Sequence, residues 1–417
     1  MTQKDTEAVS EKRKSFWRLA LVSLRARDFR LFWMGSVAEH FGEFMEFAAV
    51  LWLVNELTHS PLILTLIGSA KFMPLIFFPI VGGIIADRVD RKRLLFLTLI
   101  GTCILSICLA ILAATGLIAV WHLFVIGLLG GVAMSFNHPA RLTILPNLVR
   151  KDYLLNAISL DLISVLGSKM IGMSLSGYFI VKFGVWPIFL IRSLGCLLAV
   201  FWLTLVHVPQ TSLSSRKQTM RQNLFDGLGY LRSNTIILIL TALYLIPWLA
   251  GNTFTSFLPV FANDILKIGA VGYGYLQAAP GLGAIASLIG LTFFTYYKQK
   301  GTLLIASGII MAVCLIGFSG SKVPFASLFF LVVIGATQSA FSTVNTTLIQ
   351  GAVPDELRGR IISWREVAFG FGPTGSIIFG TIAQFTGVQI SLGMLGLIIL
   401  VPPILLMAYL PRAKGIL

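Results

Sequence analysis

Charged residues are scarce in this chain, and acidic residues are scarcer than basic ones. Only 12% of the 417 residues are charged and 56% are apolar, whereas charged residues make up about 25% of an ordinary soluble domain. The 32 Lys and Arg outnumber the 17 Asp and Glu, which gives a formal net charge of +15. This balance is typical of an integral membrane protein and argues against a soluble, surface-charged domain.

Cysteine is also rare, and the chain has no recognisable catalytic spacing. Cys103, Cys108, Cys196 and Cys314 all lie in apolar runs and form no CxxC pair, so neither disulfides nor a metal cluster are predicted. The sequence has no phosphate-cradling glycine loop and no Ser/His/Asp pattern above chance. We therefore expect neither an enzyme nor a bound cofactor.

Long apolar runs, in contrast, recur along nearly the whole length. Each is long enough, at about 20 residues or more, to cross the hydrocarbon core of a bilayer. We predict an all-α membrane protein with twelve transmembrane helices. The predicted spans are 29–57, 61–86, 92–115, 119–145, 153–181, 185–207, 234–263, 270–297, 302–320, 323–350, 358–386 and 388–410.

Basic residues are distributed unevenly between the two sides of the predicted spans. Most lie in the two termini and in the alternate loops 88–93, 150–151, 216–232, 298–300 and 358–360. The opposite loops hold only Lys182, Lys267 and Lys322. This asymmetry predicts that both termini are cytoplasmic and that the protein lies in the cell membrane. The excess charge then reflects membrane topology and does not indicate nucleic-acid binding.

The two halves of the chain resemble each other. Residues 143–159 align with 347–363 at a shift of 204, and four glycine pairs then follow at a shift of 203: Gly167/Gly370, Gly172/Gly375, Gly177/Gly380 and Gly184/Gly387. Two parallel six-helix halves are the architecture of many secondary transporters, with the substrate site between them. The predicted organisation is a cytoplasmic tail (1–28) without a signal-peptide pattern, an N-terminal bundle (29–207), a cytoplasmic linker (208–233), a C-terminal bundle (234–411) and a short tail (412–417).

The loop after the second span, "GGIIADRVDRKRLL", resembles the signature loop of the major facilitator superfamily. The matching residues are Gly83, Asp87, Arg88, Arg91 and Lys92, while Asp90 replaces the usual second glycine. An aspartate at a helix end can accept backbone N–H groups, and arginines can clamp carboxylates. We expect this loop to act as a breakable cytoplasmic latch, with positive-inside anchoring as the simpler alternative. The corresponding stretch "TYYKQKGTLL" lacks the acid, so one latch is expected.

The end of the fourth span resembles a particular branch of this superfamily, which contains macrolide efflux proteins and the enterobactin exporter. Its pattern is matched by Pro139, Ala140, Arg141, Leu145, Pro146, Leu148 and Val149. The resemblance implies the facilitator fold and outward transport. Proton antiporters of the superfamily often carry Gly-Pro in the fifth span. This chain departs from that pattern, because Met173 follows Gly172 there.

The first span carries acids where a membrane helix should have few. Glu39, Glu43 and Glu46 form one stripe at helical spacing, with His40 at its flank. Each charge facing lipid at mid-bilayer costs about 2.5–3.5 kcal/mol, so the stripe should face protein or water. Closely spaced, partly desolvated carboxylates bind protons readily, which predicts proton coupling at a central cavity. Lys71 and Lys169, near the middle of the second and fifth spans, are candidates for the same proton-coupling cavity. The alternative is that they neutralise some of the carboxylates permanently.

Other polar residues within spans fall into two predicted groups. The candidates for substrate contact are Asn137, Arg192, Tyr244, Trp248, Asn252 and Gln338. The candidates for a cytoplasmic gate, besides the latch residues, are Arg141, Asp161, Arg365 and Glu366. Arg192 is equally compatible with a structural ion pair.

These features together predict a monomeric secondary transporter. It would export an amphipathic small molecule, drug-like or a siderophore, by alternating access and proton antiport, within membrane lipid. A lipid or lysolipid carrier of the same fold is the main alternative. A membrane-embedded binding or assembly protein that transports nothing is a third possibility.

Overall fold

The computed structural model describes residues 22–76, 78, 90–207, 229, 234–293, 299–354 and 372–409. This part of the chain is almost entirely helical and contains no strand. Nine of its helices are long and apolar enough to cross a membrane. The other three predicted spans, the first, second and eleventh, also contain described helices, as twelve spans require.

The helices are numbered here in chain order. The N-terminal half contains α1 (Arg27–Thr58), α2 (Pro61–Ala70), α3 (Arg91–Ala114), α4 (Val120–Ile144), α5 (Leu154–Phe183) and α6 (Trp186–Leu205). The C-terminal half contains α7 (Thr235–Leu243), α8 (Leu245–Val260), α9 (Gly269–Phe293), α10 (Lys300–Gly320), α11 (Pro324–Ala352), α12 (372–386) and α13 (Val388–Tyr409). Helices α7 and α8 together form the seventh span. The linker, the C-terminal tail and most of the N-terminal tail lie outside the described residues.

Two faces of the bundle are named by the helix ends that lie there. The basic face carries the starts of α1, α3 and α5, and the opposite face carries the ends of these helices. Helix α2 begins at the opposite face, where Pro61 follows the capping residue Ser60. A proline at the first helical position loses no hydrogen bond, because that N–H would have no partner within the helix.

Helix α3 begins at the basic face with a clear capping signal. The Asp90 carboxylate accepts hydrogen bonds from the backbone N–H groups of Lys92 (2.8 Å) and Arg93 (3.1 Å). The residue that departs from the usual pattern of the signature loop thus has a local structural role, as a helix N-cap.

Replacing this cap tests its contribution to stability. Asp90→Ala should lower the stability of the protein by about 0.5–2 kcal/mol, because two amide donors lose their acceptor. The measurement is thermal unfolding in detergent, with Asp152→Ala as the matched control on an exposed acid. An equal effect of both substitutions would show that Asp90 does not act as a cap.

Helix packing is alike in the two halves. In the N-terminal half α1 packs on α5 and α6, while α3 packs on α4 and α6. In the C-terminal half α10, the counterpart of α3, packs on α11 and α13. The α1–α6 crossing is tight, since a Cβ on Gly42 would lie 2.7 Å from the Cα of Arg192. Only glycine permits this approach of the two backbones.

Matched glycines of α5 and α12 have equivalent surroundings. Within the N-terminal half a Cβ on Gly172 would lie 2.8 Å from the Phe41 carbonyl oxygen of α1. Within the C-terminal half a Cβ on Gly375 would clash with Leu249 of α8, the counterpart of α1. The sequence repeat therefore corresponds to a repeated packing arrangement.

The two halves meet through α5 against α9 and through α2 against α8 and α12. A Cβ on Gly177 would clash with the Ala270 carbonyl of α9, and a Cβ on Gly380 would clash with Thr65 of α2. Neutral hydrogen bonds also cross between the halves, including Ser60 Oγ to Gln384 Oε1 (2.7 Å). These contacts lie toward the opposite face.

Two spans are interrupted near their middle. Helix α2 ends at Ala70, and a turn over residues 71–73 precedes Pro74, which lacks the N–H needed to continue the helical ladder. Helix α4 packs directly on this break, because a Cβ on Gly131 would lie 2.9 Å from Cδ of Pro74. The seventh span is interrupted at Tyr244, between α7 and α8.

Candidate functional site

The carboxylates of α1 share a stripe on the helix, but their side chains meet different partners. Glu43 forms an ion pair with Lys71 at the break after α2. Its second oxygen, Oε2, lies 3.4 Å from Nδ1 of His40, one turn earlier. All three side chains are at most 20% exposed. The structure thus brings together three residues predicted for proton coupling, in a titratable cluster that joins two helices.

Glu39 lies in a separate buried network. Its Oε2 accepts a hydrogen bond from Arg141 of α4 at 3.4 Å, and Arg141 also binds Asp161 of α5 at 2.7 Å. Arg192 of α6 donates to the backbone carbonyl of Glu39 at 2.6 Å and lies 4.0 Å from its carboxylate. Two cations and two acids are therefore held together among α1, α4, α5 and α6, inside the N-terminal bundle.

Glu46 also points into the N-terminal bundle. Its carboxylate accepts a hydrogen bond from Ser106 of α3 at 2.7 Å. No ion pair to Glu46 occurs in the described part of the chain. Whereas the sequence predicts a central cavity lined by all three acids, the described partners of all three carboxylates belong to the N-terminal half.

Lys169 differs from the other buried cations. It lies near the middle of α5 and is partly buried. Among the described residues it forms neither an ion pair nor a hydrogen bond, so it does not neutralise the α1 carboxylates. The sequence proposed Lys71 and Lys169 as alternative partners for the stripe, and the structure pairs Lys71 alone.

The predicted substrate-contact residues are spread over both halves. Asn137 donates to Thr98 Oγ1 at 3.4 Å within the N-terminal bundle. The Gln338 amide of α11 donates to the Pro247 carbonyl of α8. The rings of Tyr244 and Trp248 lie 6.5 Å apart at the interruption of the seventh span.

Two of these candidates, Arg192 and Asn252, are in contact with neighbouring helices of the protein. Arg192 is 3% exposed and engaged with Glu39, which favours the structural ion pair that the sequence left open. Asn252 of α8 lies against the eleventh span, where a Cβ on Gly372 would lie 3.1 Å from the Asn252 Nδ2. Its role in substrate contact stays a prediction.

Four residues of the predicted cytoplasmic gate lie within the described part of the chain: Arg91, Lys92, Arg141 and Asp161. Lys92 donates to the backbone carbonyls of Thr204 (3.2 Å) and Val206 (2.6 Å) at the C-terminal end of α6, where a cation is favourable. Arg91 is half-buried in the first turn of α3. Arg141 and Asp161 pair with each other within one half. The remaining gate candidates, Gly83, Asp87, Arg88, Arg365 and Glu366, lie outside the described residues.

Several buried polar residues that link helices did not stand out in the sequence. The Tyr273 hydroxyl of α9 donates to the Ala48 carbonyl of α1 at 3.0 Å and accepts from Gln277 at 2.7 Å. Asn345 of α11 donates to the Leu240 carbonyl of α7 at 2.9 Å. Their only signal is polarity within an apolar span, which does not distinguish a helix-packing residue from a ligand-binding one.

No group of three or more His, Cys, Asp or Glu residues able to hold a metal occurs in the described segments. The site offers ion pairs that join different helices. Such pairs can change partner when a proton or a charged ligand binds, and they can thereby alter helix packing.

Comparison with known proteins identifies the family. A family model of the major facilitator superfamily, described as transmembrane secretion effector, matches residues 19–415. The chain belongs to this family. Members of the superfamily are multi-pass membrane transporters, so this secretion-effector protein is a transporter of small molecules and not an enzyme.

Relatives of this secretion-effector protein include exporters. Macrolide efflux protein A of Streptococcus pyogenes is 24% identical over 87% of this chain and 90% of its own length. The staphyloferrin A transporter of Staphylococcus aureus is 21% identical over 88% and 92% of the two chains. The enterobactin exporter of Escherichia coli O1:K1 is 24% identical over 74% and 73%.

Solved transporter structures share its fold. A POT family transporter in complex with a thioalcohol-conjugated peptide superposes with a TM-score of 0.76 at 13% identity, covering 93% of this chain and 96% of that one. A nucleoside transporter gives a TM-score of 0.70 at 15% identity, covering 91% and 98%. At these identities the likeness shows the facilitator fold alone, which confirms the fold predicted from the sequence.

Proposed function

We propose that this protein is a proton-coupled exporter of an amphipathic small molecule in the cell membrane. In this proposal the basic face is cytoplasmic, as the loop charges predict, and the two bundles alternate in opening to the two sides. The names of the relatives, which refer to macrolide efflux, enterobactin export and staphyloferrin A transport, support outward movement of a drug-like or siderophore-like compound.

The observation that carries the proposal is the ion pair between Glu43 and Lys71. It joins α1 to the residue at which α2 is interrupted, three residues before Pro74. Because the helical ladder is already broken there, the backbone can change direction without losing a further row of hydrogen bonds. A charge change at Glu43 therefore acts at a point where α2 can bend.

Helix α2 also connects this pair to the other half. Beyond the cross-half bond of Ser60, the Ser69 hydroxyl donates to the Pro373 carbonyl of α12 at 3.4 Å. A proton on Glu43 cancels its attraction for Lys71, so that Lys71 and the break after α2 are released. The change then reaches α12 through α2, which gives proton binding a physical route to the interface between the halves.

His40 adds a second proton-binding group to this cluster. Its Nδ1 lies 3.4 Å from Oε2 of Glu43, and an imidazole nitrogen can accept and release a proton. A proton that enters through His40 is within one hydrogen-bond step of Glu43. In this proposal, protons move inward through His40 and Glu43 while substrate moves outward.

Proton movement coupled to substrate movement is the direct test. Purified protein in vesicles with a pH-sensitive dye in the lumen should dissipate an imposed pH gradient faster when erythromycin or dansylglycine is added. Empty vesicles and vesicles with heat-denatured protein provide the baseline. Uphill accumulation of a probe with no accompanying proton flux would exclude proton coupling, and absence of both signals for all probes would contradict export of this compound class.

A further inference from the structure

Four successive residues of α5 face four different directions. The Ser168 hydroxyl donates to a backbone carbonyl of α1 at 3.3 Å, and Met170 packs on a glycine of α9 in the other half. Ile171 is 49% exposed on the outside of the bundle. At about 100° per residue, Lys169 faces away from Ile171, into the space between α1 and α9. This space separates the two halves.

Along the face of α5 that carries Lys169, side-chain exposure decreases steadily from the start of the helix toward its end. Positions seven residues apart lie on the same face, about two turns apart. Leu155 is 78% exposed and Leu162 is 57% exposed, whereas Ser176 is fully buried. Lys169 lies between Leu162 and Ser176. The space therefore opens toward the basic face, is lined there by leucines, and closes just beyond Lys169.

The ammonium group of Lys169 is left without a counter-charge inside the described part of the protein. Of the three acids of α1, Glu43 is paired with Lys71, Glu39 lies with two arginines, and Glu46 is turned toward Ser106. A partly buried cation is costly unless it is paired. A ligand with a negative charge would supply the missing partner.

His40 presents a second polar atom at nearly the same depth. Val37 of α1 is level with Ser168 of α5, because the two are hydrogen-bonded, so His40 lies within about 3 Å of the level of Lys169 along the helix axes. While Nδ1 of His40 contacts Glu43, Nε2 is buried and has no hydrogen-bond partner among the described residues. It can accept a bond from a ligand hydroxyl, or donate one when protonated.

We propose that Lys169 binds an anionic group of the transported molecule, specifically a carboxylate. The apolar body of the same molecule lies on the basic-face side of Lys169, against the exposed leucines of α5. His40 supplies a second polar contact. The substrate class is therefore an amphipathic organic anion. This inference rests on the proposed export function. The charge requirement at Lys169 does not depend on proton coupling, although His40 contributes to both proposals.

A matched pair of fluorescent probes tests the charge requirement. Dansylglycine carries a carboxylate, and dansylglycinamide has the same size and apolar ring but no charge. Equilibrium binding in detergent, without a pH gradient, should be about tenfold tighter for dansylglycine, the ratio expected for one hydrogen-bonded charge contact. Lys169→Met should reduce this ratio to about one, and Lys169→Arg should retain it.

The controls separate binding from folding and from coupling. Lys182→Met removes a cation at the far end of the same helix and should leave the ratio unchanged. Lys169→Met should unfold at the same temperature as the wild type or higher, since no described ion pair is lost. Equal or undetectable binding of both probes by the wild type, or a wild-type ratio in Lys169→Met, would overturn the inference. A protein that keeps the ratio but moves no protons would contradict only the coupling proposal.

Discussion

Glu43→Gln should abolish proton-driven transport of dansylglycine. Glutamine keeps the size and hydrogen-bonding capacity of glutamate but cannot take up the proton. The same substitution leaves Lys71 buried without a partner, so stability should also fall, by about 3–5 kcal/mol. The measurements are probe accumulation driven by a pH gradient and thermal unfolding of the same preparation.

A double variant separates these two effects of Glu43→Gln. Glu43→Gln combined with Lys71→Gln removes both charges and should recover most of the lost stability, while proton-driven transport stays absent. Glu56→Gln, the same change at an exposed position near the end of α1, is the control. It should behave as wild type, because the glutamine oxygen can still accept the hydrogen bond that Trp52 Nε1 donates to Glu56. Normal proton-driven transport by the double variant would show that the pair is architectural and not part of coupling.

Arg141→Met should be the most destabilising substitution among the buried cations of the N-terminal half. It leaves the largely buried Asp161 without its cation, and it leaves Glu39 with only the more distant Arg192, 4.0 Å from its carboxylate. Removing one partner from a buried charge network costs about 3–5 kcal/mol. We expect a large fall in the unfolding temperature and in the yield of monodisperse protein.

The matched control for this prediction is an exposed ion pair. Arg150 and Asp152 are both about three-quarters exposed and lie 3.6 Å apart, so Arg150→Met should cost at most about 1 kcal/mol. Similar stability of the two variants would mean that the Arg141 network is accessible to water or is relieved by another group.

The fold could be predicted from the sequence because its determinants are local. A run of apolar residues identifies a span without reference to any other part of the chain, and the glycine repeat relates the two halves directly. The interruption after α2 has only Pro74 as its signal, and this signal does not reveal that Lys71 lies at the break and binds Glu43.

The partners of the intramembrane charges could not be predicted in the same way. Helical spacing correctly places Glu39, Glu43 and Glu46 on one stripe, but it does not show how α1 is rotated within the bundle. Small differences in direction along the stripe bring Glu46 to Ser106, Glu39 to Arg141 and Glu43 to Lys71. These contacts depend on helix crossings between segments far apart in sequence.

Glycines at the junction of the halves determine how closely the two bundles can approach each other there. At Gly177 and Gly380 the two bundles approach so closely that a single added methyl group would overlap its neighbour. The nearby hydrogen bonds of Ser60 and Tyr273 involve uncharged groups. Contact between the halves at the opposite face therefore depends on excluded volume and short-range packing of uncharged groups, so ionic strength should have little influence on it.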